Sequence, residues 1–196
     1  MARDDGDSDD SESALDIATR LERLARLLRQ ASHAAGLVPA QWEVLRYLAR
    51  ANRLSRSPGV LARYLGSTKG TVSQSLQTLV KKGLVSRQTR SEDERHVLLA
   101  LTPAGEALLK NDPLRAIAGD LEGLGGKTRR RFARGLADLL ALEIDRQRAA
   151  RFGTCGGCQH YRDGGKAGAP TCAVDGAMIA PLEAALLCFH HQADAH

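Results

Sequence analysis

From Ala14 to about His33, apolar residues recur at Ile17, Leu21, Leu24, Leu28 and Ala31, a 4-3-4-3 spacing. Such spacing lays one stripe along a helix. Ala25 and Leu27 widen the stripe, and Arg20, Arg23, Arg26 and Arg29 occupy the opposite face. A stripe this long needs cover, either from the core or from a second subunit. Gly36 is expected to end the helix. In LVPAQWEVLRYLAR a second helix starts, with Pro39 in its first turn and Trp42, Leu45 and Leu48 inward. LSRSPGVLARYLG predicts a shorter helix, with Ser57 as N-cap, Pro58 at its start and Gly66 after its end. A fourth runs from about Thr68 to Lys82, with Val72, Leu76, Leu79 and Val80 on one side and Gly83 as its stop.

The period then changes. LVSRQTR and HVLLALT are short runs of branched and apolar residues around the polar tip SEDER, the pattern of a β-hairpin. Thr102 is placed to cap a helix that Pro103 begins, and Asp112-Pro113 breaks or restarts it. A long helix is expected from about Lys127 to Arg151, with Phe132, Leu136, Leu139, Leu140 and Ile144 inward. From Phe152 onward the chain is rich in Gly and Cys. Three segments result: an acidic tail over 1–13, a helical body over 14–151 and a Cys-rich module over 152–196.

Charge sharpens this division. Residues 1–13 hold six acids against Arg3, so the tail should be disordered, and the remainder carries a net charge of +10 within a total of +5. A body that basic suits a polyanionic partner. No apolar run reaches the length needed to span a bilayer, and MARDDGDSDDSES has no apolar stretch behind a basic start. A cytoplasmic location without membrane attachment is expected.

Helix, short helix, glycine turn, helix and hairpin make up the order of a winged helix-turn-helix. The fold class expected is therefore mainly α with a small β-wing, in a winged helix-turn-helix domain followed by the Cys-rich module. One α-helix fits the major groove of B-form DNA and reads base edges from its outer face. The helix from Thr68 suits that task. Lys69, Thr71, Ser73, Gln74 and Gln77 supply groups able to bond bases and phosphates, and no acid occurs from Ser67 to Arg90. Arg87, Arg90 and Arg95 extend the positive side along the hairpin.

The stretch SPGVLARYLGSTKGTVSQSLQTLVKKGLVSRQTRSEDERHVLLALTPAGEALL resembles the MarR family of regulators, through TVSQSLQTLVKKGLV, Asp93-Glu94-Arg95 and LTPAG. PAQWEVLRYL matches that family's second helix. The resemblance covers about residues 14–150. It implies an obligate homodimer clasped by its first and last helices, a pseudo-palindromic double-stranded DNA operator, and Arg95 in the wing near the minor groove or backbone. Many relatives also bind small aromatic effectors. Trp42, Tyr47 and His33 are read here as packing residues.

All four cysteines lie in the last segment, as Cys155-x2-Cys158-x13-Cys172-x15-Cys188. Disulfides need an oxidising compartment, and inert thiols rarely cluster so tightly. A metal site is expected, with Gly156 and Gly157 freeing the backbone around the Cys-x2-Cys turn. Four thiolates suit either an iron–sulfur cluster or Zn²⁺. CGGCQHY, TCAVDG and LCF resemble the cysteine pattern of high-potential iron–sulfur proteins, which favours a cluster shielded by Tyr161 and Phe189. Because the module follows the last long helix, it is expected at the dimer interface, where it could alter the spacing of the recognition helices.

The function expected is a non-enzymatic, DNA-binding transcriptional repressor that senses redox or metal status. One rival keeps the regulator but assigns structural zinc to the module and a small organic effector to the signal. Another makes the chain an iron–sulfur electron-transfer protein.

Overall fold

Ser13 opens the first helix by accepting a hydrogen bond from Asp16 N at 3.2 Å. The computed structural model describes residues 13–90, 93–165 and 168–193, with no description of the side chains of 89–96. The acidic tail expected to be disordered therefore falls, but for Ser13, outside the described residues. Helices α1 (Ala14–Ala31), α2 (Pro39–Arg50), α3 (Pro58–Tyr64) and α4 (Lys69–Lys81) precede an antiparallel hairpin of β1 (Val85–Arg90) and β2 (Asp93–Leu101). Three further helices follow: α5 (Pro103–Leu109), α6 (Leu114–Gly123) and α7 (Gly126–Arg146). The last segment holds the short strands β3 (Tyr161–Arg162) and β4 (Thr171–Cys172), and α8 (Pro181–Ala184). No helix among the described residues is long and apolar enough to cross a membrane.

The caps explain the boundaries. Ser57, Thr68 and Thr102 each accept from the backbone N–H three residues on, that of Val60, Thr71 and Gly105. Pro58 and Pro103 begin their helices, where no partner for a proline nitrogen is needed. Asp112-Pro113 separates α5 from α6. The core is built by α2, α3, α4 and the hairpin around Trp42, Leu45, Tyr47, Leu61, Leu76, Leu79 and Leu99. Hairpin pairing is regular from Val85↔Leu101 to Thr89↔Val97, then shifts at Arg90↔Asp93. The Leu99 N–H donates to Arg56 O at 2.8 Å, which ties the wing to the loop before α3.

Gly105 of LTPAG has a steric cause. A Cβ there would sit 2.2 Å from Leu84 O, an oxygen already fixed by a bond from Thr102 N at 3.1 Å. Gly105→Ala is expected to cost about 1–3 kcal/mol by overpacking. Scanning calorimetry should show the melting temperature falling by roughly 2–12 °C, at about 2–4 °C per kcal/mol for a chain of this size. An unchanged melting temperature would mean that α5 slides freely past the end of α4.

Four sequence expectations are corrected. Helix α1 ends at Ala31, and Gly36 (φ +66°) lies beyond it in a tight link with Ala35 (φ +54°). Helix α7 stops at Arg146 rather than near Arg151, because Arg148 turns left-handed (φ +50°) and Ala149 N closes back onto Ile144 O at 2.9 Å. Val80 is exposed, so the buried face of α4 is Val72, Leu76 and Leu79. The apolar stripe of α7 is not inward within one chain: Phe132, Leu136, Leu139 and Leu140 are exposed, and so are Ile17, Leu24 and Leu27 of α1, whose cover the sequence leaves open between the core and a second subunit.

A bidentate ion pair fixes α2 to the turn between α5 and α6. Arg46 Nε and Nη2 donate to the two oxygens of Asp112 at 2.8 and 2.7 Å. Burial pushes the Asp112 carboxyl up, but Arg46 and the Leu114 N–H outweigh it and hold the group below the usual carboxylate range.

Candidate nucleic-acid interface and four-cysteine site

On α4, Lys69, Thr71, Gln74 and Gln77 are exposed and Ser73 is half-buried, so the outward face has the composition expected of a reading helix. Thr71 Oγ1 lies 2.9 Å from Thr68 Oγ1, which orients its hydroxyl at the helix start. Lys69 and Ser73 share a groove with exposed Arg87 of β1 and with Ser57, Pro58 and Gly59 at the start of α3. Arg90 and Arg95 stand on the paired strands, and their side chains lie outside the described residues. Trp42 and Tyr47 are wholly buried, as packing residues should be, whereas His33 is exposed.

Sequence comparison agrees with this geometry. The pattern of the MarR family matches residues 35–96, from the link before α2 into β2. Residues 35–96 are similar to the MarR family and lie within the winged helix. The HTH-type transcriptional repressor YetL of Bacillus subtilis (strain 168) is 30% identical over 107 residues, covering 53% of this chain and 64% of the repressor. The chain thus spans just under two thirds of that relative's length. A MarR transcriptional regulator from Methanosarcina mazei Go1 superposes with a TM-score of 0.55 at 23% identity, covering 67% of this chain and 98% of that one. MepR of S. aureus, solved in complex with DNA, superposes with a TM-score of 0.52 at 20% identity over 66% of this chain and 98% of that one. These superpositions establish the fold alone.

The cysteines lie outside the matched MarR-family residues. Cys155, Cys158, Cys172 and Cys188 all line one small cavity. Local structure brings them there. Cys158 N donates to Cys155 O at 3.2 Å in the Cys-x2-Cys turn, with Gly157 at φ +69°. Cys172 ends β4, paired with Tyr161. Cys188 is held against Gly153, donating to its oxygen at 2.7 Å. Leu54, Tyr161, Val174 and Ile179 complete an apolar wall, and His160 and His190 also reach the cavity. His191 does not line it; its Nδ1 lies 3.0 Å from Thr154 O.

The thiols feel one another. Burial first, then the nearby Cys188, Cys158 and Cys172, pushes the Cys155 thiol up. A bound cation would reverse that balance, because thiolate ligands lose their protons to the metal. Asn52 adds a polar orphan: its Oδ1 is buried without a hydrogen-bond partner, and the residue lines the same cavity. Turned by half a rotation, this amide presents an NH₂, a donor suited to thiolate or sulfide. Among the described residues, no three His, Cys, Asp or Glu side chains are grouped to hold a single metal ion. The four thiols share one cavity wall. Four cysteine thiols are the donor set of an iron–sulfur cluster and of Zn²⁺ alike.

The module has attachments that chain order does not announce. They run to the loop between α2 and α3. Leu187 N donates to Arg50 O at 2.6 Å and Asn52 N donates to Leu187 O at 2.9 Å. Phe189 N donates to Ser55 Oγ at 2.8 Å. Arg53 bonds Asp175 at 2.8 Å and also pairs with Glu183. The Phe152 ring stands edge-on to Tyr64 of α3, with centroids 5.1 Å apart. Sequence reasoning missed Arg53 and Ser55, since nothing about a polar loop announces what will dock on it.

Proposed function

We propose that the chain is a homodimeric, DNA-binding transcriptional repressor whose hold on a pseudo-palindromic operator responds to an iron–sulfur cluster on Cys155, Cys158, Cys172 and Cys188. The observation that carries this reading is one cavity shared by all four thiols, attached to a winged helix similar to the MarR family. When bound, the cluster would supply one-electron or assembly-dependent sensing. The thiols hold it, Tyr161 and Ile179 keep water from it, and Asn52 stands ready to donate to sulfur. Similarity to an HTH-type transcriptional repressor supports the DNA-binding half.

Within that half, Lys69, Thr71, Ser73, Gln74 and Gln77 face the major groove, and Arg87, Arg90 and Arg95 face the backbone or minor groove. The exposed leucines of α1 and α7 support a two-fold dimer that reads half-sites about one helical turn apart. Lys69→Ala is expected to weaken binding to every sequence alike and to lower the slope of log K against log salt by about 1. Gln74→Ala should instead relax the preference at one base pair, by about 1–3 kcal/mol. Fluorescence anisotropy across a salt series separates the two, and an unchanged slope for Lys69→Ala would remove that lysine from the interface.

The cofactor is tested by purifying the protein without oxygen. A brown solution with iron, sulfide and absorption near ~400 nm is expected. A colourless protein with stoichiometric zinc would overturn the cluster, leaving a structural metal and a small organic effector as the signal. Failure to shift any defined operator would favour the electron-transfer reading.

A further inference from the structure

The geometry points to the loop Ala51–Ser57 as the receiver of the cysteine module's state: three of the four cysteine-bearing segments clamp this loop, and through it α3 and the reading helix. This inference rests on the cysteine site proposed above and adds the route by which it acts.

The three clamps are separate in sequence and meet in space. Leu187 and Phe189, the two neighbours of Cys188, are bonded to Asn52 N and Ser55 Oγ respectively. Asp175, three residues after Cys172, takes Arg53 Nη2 at 2.8 Å. Glu183 takes another nitrogen of the same guanidinium, and the next residue, Ala184, accepts from Cys155 N at 3.0 Å. Displacing the Cys188, Cys172 or Cys155 segment therefore pulls on one stretch of four residues.

From that stretch the strain has a short path. Ser55 is wholly buried, and its carbonyl accepts from Tyr47 OH of α2 at 2.6 Å. Arg56 Nε donates to Ala51 O at 3.0 Å, and Arg56 O takes the wing's Leu99 N–H. Ser57 then caps α3, whose Arg63 lies 4.9 Å over the Phe189 ring. Helix α3 packs directly on α4. Asp175 and His190 of the module also border the groove that holds Lys69, Ser73 and Arg87.

The module's own fold is slight. Beyond its cavity it has two strands of two residues each and one helix of four, and Ile179 and Cys188 are the buried apolar residues described within it. A segment that small needs a cross-link to stay ordered. Loss of the group held by the thiols loosens all three clamps together, and the changed element is a two-state contact on the reading head.

The test compares hydrogen exchange in the full chain, purified without oxygen, before and after iron is stripped with ferricyanide and EDTA. Peptides from 50–64 should lose protection at least ~10-fold, and those from 14–31 and 126–146 should keep theirs. Neither Ser55→Ala nor Arg53→Gln replaces a thiol; Ser55 lies off the cysteine cavity, whereas Arg53 borders it. Both should retain iron and visible absorption, while the ratio of operator affinities between loaded and stripped protein falls toward 1. Changes confined to 126–146 or to 152–193, or a wild-type ratio in both variants, would overturn the inference and leave the cluster standing. Wild-type protein without iron would overturn both.

Discussion

Leu136→Asp combined with Leu140→Asp is expected to yield a folded monomer whose operator affinity is lower by at least ~100-fold, the scale on which two linked sites exceed one. The two positions lie one turn apart on α7 and are 46% and 60% exposed in the single chain. Their loss removes little from the core built by α2, α3, α4 and the hairpin. In a dimer each leucine would contribute about 1.5–3 kcal/mol by leaving water, and an aspartate in its place must be desolvated without a partner. Sedimentation at micromolar concentration reads the assembly state, and anisotropy with a two-half-site duplex reads the affinity. A double variant that sediments as a dimer would remove α7 from the subunit contact.

Trp42→Ala is expected to destabilise the reading head by about 3–5 kcal/mol, the range for deleting a buried aromatic ring. Trp42 is 0% exposed, its Nε1–H donates to Ala34 O at 3.3 Å, and the Arg46 guanidinium lies 5.9 Å from its ring. Such a loss is a large share of the 5–15 kcal/mol that typical domains possess. Urea unfolding followed by circular dichroism should show a lower midpoint, and small-molecule binding studies on this variant would report unfolding. A cost below about 1 kcal/mol would contradict the packing, since filled interiors do not forgive the loss of a ring.

Much of the winged helix was legible because its punctuation is local. Ser57-Pro58, Thr102-Pro103 and Asp112-Pro113 each satisfy a backbone need within three residues, so sequence spacing alone locates them. The buried face of α4 was legible for the same reason, from the helical period of Val72, Leu76 and Leu79, though Val80, expected beside them, is exposed. The end of α7 was not, because the helix stops at a left-handed arginine, a conformation that residue type does not advertise. The cysteine spacing pointed to a shared site, and the chain does bring the four thiols to one cavity. Where that cavity would sit was beyond reach of chain order. The module follows α7 in sequence, yet hydrogen bonds at Ser55 and ion pairs at Arg53, more than a hundred residues away, decide its place. Such contacts leave no periodic trace.

The paired bonds between Arg46 and Asp112 act as a rivet at the elbow where the reading head meets the α6–α7 arm. An arm pinned there sets how far apart two heads stand once a pair of chains is joined. Loosening the elbow would leave each head's grip on its own half-site intact and broaden the range of half-site separations tolerated. If two chains pair as proposed, selection of a binding site by its geometry, as distinct from its bases, would rest on this one arginine and one aspartate.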